Sequence, residues 1–129
     1  MKRYLLILVA FVAACGDSNA PESGGTATFV IQVSGEQFRA RVTDAAQIVN
    51  LRQRLAAGTT GVLSGTLVEG SGGFNTGWGW HLDPETVHAA DMAIEVCDGR
   101  PSMVEADLDY WIDSVKQFCP WGARVIAED

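Results

Sequence analysis

The apolar run at residues 4–12 decides which part of this chain is available to fold. It follows Lys2 and Arg3 and gives way to small residues that end at Cys15. A transmembrane helix needs about 20 apolar residues, so this run is too short to span a bilayer. A basic start, a short apolar run and small residues are typical of an export signal. We therefore expect residues 1–14 to be a signal peptide that contributes nothing to the fold.

The end of this segment resembles a bacterial lipobox. Val12-Ala13-Ala14-Cys15 places an aliphatic residue and two small residues before a cysteine. The resemblance implies that Cys15 carries a diacylglycerol thioether and a further acyl chain such as palmitate, and becomes the mature N-terminus. More than one acyl chain gives a stable membrane anchor. The alternative is an ordinary signal peptide followed by an unrelated cysteine.

The next segment has the composition of a tether. Residues 16–27 are rich in Gly, Ser, Pro, Asn and acidic side chains, which bury little apolar surface. We expect residues 15–27 to be a lipidated cysteine with a flexible tether, and residues 28–129 to form one domain. Gly16 stands where an aspartate would favour retention in the inner membrane of enteric bacteria. The expected location is therefore the cell envelope, at the outer membrane or cell surface rather than the inner membrane.

The charge of the chain restricts its partners. The formal net charge is −7, and loss of Lys2 and Arg3 with the signal peptide would make it more negative. Nucleic acids are bound mainly through cationic side chains that neutralise phosphates. We therefore expect no nucleic-acid partner, and contact with the membrane through the lipid anchor rather than through surface charge.

Two cysteines remain for the domain, Cys97 and Cys119. In an oxidising compartment such a pair most simply forms a disulfide. Closing a loop of this size contributes about 3 kcal/mol to stability in the chain-entropy model. A metal-binding or redox-active pair is the alternative, although the sequence has no C-x-x-C motif.

Hydrophobic patterns in the domain predict both strands and helices. The pattern predicts a helix over Asp44–Ala57, with Arg52 and Arg54 pointing outward and Gly58 as the stop. It also predicts a second helix from Pro101 with a Ser102–Glu105 capping box. Met103, Leu108 and Ile112 are its expected core contacts. The predicted strands are residues 28–33, 37–42, 62–68, 78–82, 92–97 and 123–127. We expect an α+β fold, with a small, mostly antiparallel sheet and two helices, stapled by one disulfide.

Several segments in order resemble one known family. They are FRARVTD, a helix ending in L-x-x-G, VLSGTLVEG, GGFNTGWGWHLDPETV, AIEVCDGRPSMVE and CPW. Together they are similar to small secreted domains named after the N-terminal part of the BP seventy-four protein. The similarity covers residues 28–126 and implies no catalytic residues. Residues 109–118 depart from the Gly- and Pro-containing linker of the family, so the family pattern does not define the end of the second helix.

Bacterial members of that family are often labelled calmodulin-binding. Calmodulin binds basic amphipathic helices. The second helix region here is acidic instead, with Glu105, Asp107, Asp109 and Asp113 against Lys116. We therefore do not expect calmodulin as a partner.

The segment from residue 74 to residue 81 is the candidate ligand site. In a strand, the side chains of Trp78 and Trp80 share one face. An aromatic platform there would bind a protein or a glycan. The alternative is that the tryptophans pack in the core while the histidine bonds to backbone or to Asp83. The candidate ligand-binding residues are Phe74, Asn75, Trp78, Trp80 and His81.

Metal and catalytic chemistry have little support in the sequence. His81 and His88 are separated by a predicted turn, and a zinc site needs three or four converging ligands. Asp107-x-Asp109 lacks the glycine and terminal glutamate of a calcium loop. We expect no metal site and no cofactor.

These observations predict a lipid-anchored, extracytoplasmic, non-enzymatic domain that binds an unknown protein or glycan. An inhibitor of extracellular peptidases is the alternative, using an exposed loop at Gly70–Gly77 on a disulfide-stapled scaffold. A small hydrolase that pairs His81 with Asp83 is the third hypothesis.

Overall fold

The computed structural model describes residues 25–129. The predicted signal peptide, Cys15 and most of the predicted tether lie outside this range. Within it, none of the helices combines the length and the apolar character needed to cross a bilayer.

The described chain forms seven strands and three short α-helices. A 3-10 turn at Glu95–Cys97 and a π-helical turn at Trp111–Val115 connect some of them. The strands are β1 (Ala27–Val33), β2 (Glu36–Val42), β3 (Thr60–Glu69), β4 (Trp80–Leu82), β5 (His88–Ala90), β6 (Gln117–Phe118) and β7 (Ala123–Glu128). The helices are α1 (Ala45–Ala57), α2 (Pro101–Ala106) and α3 (Leu108–Tyr110).

All strand pairs are antiparallel, and the long strand β3 organises the sheet. The main path runs β2-β1-β7-β3-β4, while β5 and β6 also pair with β3. The predicted α+β fold with a mostly antiparallel sheet is therefore confirmed.

The β1–β2 hairpin forms as the alternating pattern predicts. Its two central turn residues, Ser34 and Gly35, have φ values of 51° and 79°. Positive φ at both positions is the type I′ turn, whose twist matches that of the flanking strands. Phe38, Ala40 and Val42 then point into the core.

Helix α1 begins and ends where the sequence predicts. The Asp44 side chain accepts hydrogen bonds from the first-turn backbone, and Gly58 ends the helix in the left-handed conformation. The Arg52 guanidinium points outward, as predicted, and donates hydrogen bonds to Glu128 of β7. These bonds hold the pKa of the Glu128 carboxyl below its ordinary value. Arg54, also predicted to point outward, instead lies mostly covered beside Gly61.

The predicted strand at residues 92–97 is wrong. Met92, Ile94 and Val96 are exposed, and the segment ends in the 3-10 turn. The adjacent part of β3 pairs with β5, a strand that the sequence analysis missed. The predicted strand at residues 78–82 begins only at Trp80.

The predicted capping box of the second helix is also wrong. The Ser102 N–H and hydroxyl both donate to Glu36 of β2, while Glu105 accepts from Gly79. Helix α2 still begins at Pro101, as predicted. The Glu36 carboxylate and the Gly79 N–H, both distant in the sequence, have therefore taken the hydrogen bonds that Ser102 and Glu105 would make in a capping box.

The buried face of the second helical region differs from the expected one. Met103, predicted as a core contact, is exposed, and Val104 and Trp111 are buried instead. Leu108 and Ile112 do pack against the core. The buried positions differ from those expected for one continuous helix because the helix breaks at Asp107, where φ is −146°.

Asn75 joins the two outer strands of the main path. Its side-chain oxygen accepts a 2.9 Å hydrogen bond from the Arg39 N–H of β2. Its side-chain amide donates a 2.8 Å bond to the Trp80 carbonyl of β4. Asn75 is itself buried, and its side chain satisfies one backbone group of each strand. The sheet therefore curls so that β2 and β4 both form hydrogen bonds with the Asn75 side chain.

The curled sheet surrounds an aromatic core. Trp80 is fully buried, with ring centroids 5.4 Å from Phe38 and 5.3 Å from Phe118. Trp111 packs edge-on against Phe118 at 6.0 Å. Among residues 25–129, the Trp80 indole N–H is the buried side-chain polar atom that lacks a hydrogen-bond partner. Large aromatic rings thus fill the interior, where their buried area outweighs one unpaired donor.

Replacing Asn75 tests whether this side chain closes the sheet. Asn75→Ala would leave the Arg39 N–H and the Trp80 carbonyl without partners. We expect the free energy of unfolding to fall by about 2–4 kcal/mol, measured by urea denaturation. Thr76→Ala, at the exposed neighbouring position, is the control. A loss within about 0.5 kcal/mol, as for an ordinary surface substitution, would contradict the bridge.

Candidate functional site

The structure divides the predicted ligand residues between core and surface. Trp80, Phe74 and Asn75 are buried, whereas Trp78 and His81 are partly exposed. Trp78 and Trp80 do contact each other, with ring centroids 6.0 Å apart. They do not present a shared exposed platform, because Trp80 faces the interior. A ligand-binding role for these five residues stays a prediction.

The exposed part of this segment connects three elements. The Trp78 indole N–H donates to the Gln37 carbonyl of β2. The Gly79 N–H donates a 2.9 Å bond to the Glu105 carboxylate of α2. A Cβ at Gly79 would lie 3.2 Å from the Leu108 side chain, so glycine allows the helical region to approach closely. The segment therefore holds the fold together around β4.

His81 is committed to the loop that precedes β4. Its Nδ1 lies 2.6 Å from the Gly70 carbonyl oxygen, which can only accept, so Nδ1 carries a proton. The Phe74 ring packs edge-on against the imidazole, and the Arg41 guanidinium lies 4.6 Å from the centre of that ring. Asp83 bonds to the Glu85 N–H instead of to His81. The predicted His81–Asp83 pair is therefore not brought together.

The Gly70–Gly77 loop is tightly coiled. Four of its glycines have positive φ, and Phe74 and Asn75 in its middle are buried. Exposed backbone remains at Gly72, Gly73, Thr76 and Gly77. A peptidase-inhibitory role for this loop stays a prediction that the structure does not test.

The three most exposed large apolar side chains of the described residues lie elsewhere, and an exposed tryptophan lies near them. Met92, Ile94 and Val96 are 85%, 66% and 58% exposed, and Trp121 is 42% exposed. We call these four residues the Trp121 face. Met92 and Trp121 line the same hollow, and exposed apolar side chains that lie together mark interaction sites on soluble domains. This face, not the GWGWH segment, is therefore the candidate binding site.

Trp121 stands between two surface hollows. One has a volume of about 310 Å³ and is lined by Met92, Trp121 and the start of β3. Ligand pockets occupy about 300–1,000 Å³, so it is large enough for a bulky side chain of a partner. The other, of about 260 Å³, is lined by Ser34, Asp98, Gly99, Arg100, Met103 and Trp121.

The disulfide and backbone hydrogen bonds hold this face in place. Cys97 and Cys119 form a disulfide, with Cα atoms 5.1 Å apart, as predicted. The Ile94 carbonyl oxygen lies 3.3 Å from Cys97 Sγ and 3.5 Å from Cys119 Sγ. The Trp121 N–H donates a 2.8 Å bond to the Asp98 carboxylate. The apolar segment and the tryptophan are therefore fixed beside each other.

The face lies next to, but apart from, the hydrophobic core. Cys97 and Cys119 pack with Val62 in a small buried cluster of their own. Gly99 lies against the Trp111 ring, which belongs to the main core. Rigid support from two clusters lowers the entropy lost when a ligand binds.

No three His, Cys, Asp or Glu side chains converge on a possible metal position within residues 25–129. The two histidines are engaged separately, His81 with Gly70 and His88 with the Thr86 carbonyl.

A family model matches residues 25–129, and it describes the N-terminal domain of the BP seventy-four protein. The chain belongs to this BP seventy-four N-terminal domain family. No curated protein and no solved structure gave a significant match. The BP seventy-four N-terminal domain here includes both the GWGWH segment and the Trp121 face. The family resemblance found in the sequence is thus confirmed.

Sequence reasoning missed the Trp121 face because its pattern is that of a strand. Met92, Ile94 and Val96 alternate with other residues, as apolar residues do in a half-buried strand. The residues between and around them include Asp91, Glu95 and Asp98. These closely flanking acidic residues are the signal that could have indicated a solvent-exposed segment.

Removing the disulfide tests its role in holding the face. We expect the Cys97→Ser/Cys119→Ser double variant to lose about 3 kcal/mol of unfolding free energy, because the unfolded chain is no longer constrained. Urea unfolding with and without reductant measures this loss. Reductant should destabilise the native protein and leave the double variant unchanged. Two titratable thiols from these positions in the denatured, unreduced protein would contradict the disulfide.

Proposed function

We propose that this chain is a lipid-anchored, extracytoplasmic, non-enzymatic domain that binds a protein ligand through the Trp121 face. The observation that carries the proposal is the set of exposed apolar side chains at Met92, Ile94, Val96 and Trp121. Leaving them in water is costly, since each would gain about 1.5–3 kcal/mol on full burial. A partner that covers them recovers that free energy.

Two independent features support the extracytoplasmic location. The segment Val12-Ala13-Ala14-Cys15 has the order of a lipobox after a basic and apolar start. The Cys97–Cys119 disulfide is typical of proteins that fold in an oxidising compartment. Lipidation at Cys15 would then keep the domain at the cell envelope.

The hydrogen bonds of the reactive side chains support a non-enzymatic role. His81 bonds to a backbone carbonyl, Asp83 closes a turn, and the Ser102 hydroxyl donates to Glu36. Each group stabilises the fold at its present position. An acid–base or nucleophilic mechanism needs such groups to converge on a reacting atom.

The composition of the face favours a protein over a glycan. Its side chains are aliphatic or contain sulfur, with one indole, and such surfaces pack against apolar side chains of a partner. A sugar presents many hydroxyl groups, which need several polar partners in the site.

The lipid anchor can be tested with one substitution. We expect Cys15→Ala to abolish incorporation of a palmitate analogue and to move the protein from the membrane fraction to the soluble fraction, because no thioether can form. Metabolic labelling and fractionation of cells measure both effects. Ser23→Ala is the control, since it changes a residue of the predicted tether after the lipobox and should retain the label. Unchanged membrane retention and labelling of the Cys15→Ala variant would contradict the anchor.

The binding face can be tested in the same cells. We expect a protein that copurifies stoichiometrically with the native chain to be lost from Ile94→Asp, because a charge at the centre of the face cannot be desolvated cheaply. Val49→Asp is the matched control, an equally drastic change at an exposed apolar position of α1. If the same amount of that protein copurified with both variants, it would bind outside the Trp121 face.

A further inference from the structure

We propose that the ligand of the Trp121 face is a cationic apolar segment of a partner protein, one that combines Lys or Arg with large apolar side chains. This inference rests on the proposed function and names the class of ligand.

Acidic side chains lie around the face. Asp91 and Glu95 are exposed within the apolar segment, and the Asp98 carboxylate accepts from the Trp121 N–H. Among the described residues, neither Glu95 nor Asp98 forms an ion pair. Two nearby cations face carboxylates, Arg54 facing Asp91 and Arg100 facing Glu36. Asp91 is fully exposed and 3.8 Å from Arg54, so it remains open to a second cation.

The Trp121 ring offers an exposed surface to a cation. Trp121 is the most exposed tryptophan of the described chain and borders both hollows. A Lys or Arg side chain over an indole ring gains about 0.5–2 kcal/mol from the cation–π interaction. The acidic residues beside the ring strengthen the attraction for the same cation. An apolar side chain of the same segment would fill the 310 Å³ hollow next to Met92.

The face lies at the end of the fold opposite the first described strand residue. The described strands begin at Ala27, which pairs with Val42 at one end of the β1–β2 hairpin. Ser34, at the other end, lines the hollow beside Trp121. Strand β1 has seven residues, so at about 3.3 Å per residue the two ends are roughly 20 Å apart. A tether that joins the domain at Ala27 is therefore attached at the end opposite the Trp121 face.

This position and charge favour a protein segment over the two other occupants of an apolar face. A bilayer with anionic lipids would repel Asp91, Glu95 and Asp98, and it lies towards the opposite end of the domain. A second copy related by two-fold symmetry would bring the same acidic residues together across the interface. A cationic segment is the occupant whose charge complements the face.

The test uses the full lipidated chain in nanodiscs of zwitterionic phosphatidylcholine, with empty nanodiscs as the blank. The probe is a fluorescently labelled amphipathic peptide made of lysine and leucine, and the readout is fluorescence anisotropy. We expect a Kd in the micromolar range that weakens with added salt, because exposed charges are screened. A peptide with glutamate in place of every lysine should not bind.

Three variants locate the binding. Trp121→Ala and Ile94→Asp should each weaken binding roughly tenfold or more, as expected for central residues of an interface. Glu95→Lys should weaken it by reversing a charge beside the face. Glu85→Lys is the matched control, since it reverses an exposed carboxylate near Thr43, at the Ala27 end of the fold. Urea midpoints close to that of the native chain establish that each variant is folded.

Other outcomes would overturn the inference. Equal weakening by Glu95→Lys and Glu85→Lys would mean that binding follows net charge and not this face. Quenching of Trp121 emission by brominated phosphatidylcholine would place the face on the membrane. A detergent-solubilised dimer that Ile94→Asp dissociates would assign the face to a second copy. Absence of peptide binding by the native chain would exclude a cationic segment, while the cell experiments with Cys15→Ala and Ile94→Asp would still decide the proposed function separately.

Discussion

The fold depends on the hydrogen bonds of one buried amide, that of Asn75. A sheet with two free outer strands leaves rows of backbone groups that attract other chains. Here the Asn75 side chain accepts from Arg39 of β2 and donates to Trp80 of β4. An amide can do both at once, which neither a carboxylate nor a hydrocarbon can. Closure of the sheet in this way creates the interior that Trp80, Phe38 and Phe118 fill.

The same closure explains why the most conspicuous sequence motif is not the exposed surface. A small domain has little volume in which to bury apolar area, so its large aromatic residues are needed inside. Trp80 is part of the hydrophobic core. Trp78 and Gly79 donate hydrogen bonds to β2 and α2, respectively, and His81 bonds to the Gly70 carbonyl of the glycine-rich loop. The proposed surface for a partner is formed instead by residues that the core does not use, around the disulfide.

Local signals were sufficient for some of this structure and insufficient for the rest. The β1–β2 hairpin and helix α1 are encoded by nearby residues, by Ser34-Gly35 at the turn and by Asp44 and Gly58 at the helix ends. The ends of α2 are not, because Glu36 and Gly79, far away in the chain, take the bonds that a capping box would make. Strand β5 is a three-residue segment without a pattern, and its pairing with β3 left the alternating Met92–Val96 segment in solvent. The role of Asn75 depends on which strands become neighbours, which no local pattern reveals.

The disulfide also sets when the Trp121 face comes into existence. The Ile94 carbonyl touches both sulfurs, and the Cys119 N–H donates to the Cys97 carbonyl, so the segment and the tryptophan are positioned through a covalent bond. A chain still in a reducing compartment would carry two thiols and lack that bond. Under the proposed export, the face would be fully assembled only after oxidation, and newly made chains would bind the proposed cationic segment only from that point. Disulfide formation would then be the last step of maturation, and it would take place in a different compartment from the synthesis of the chain.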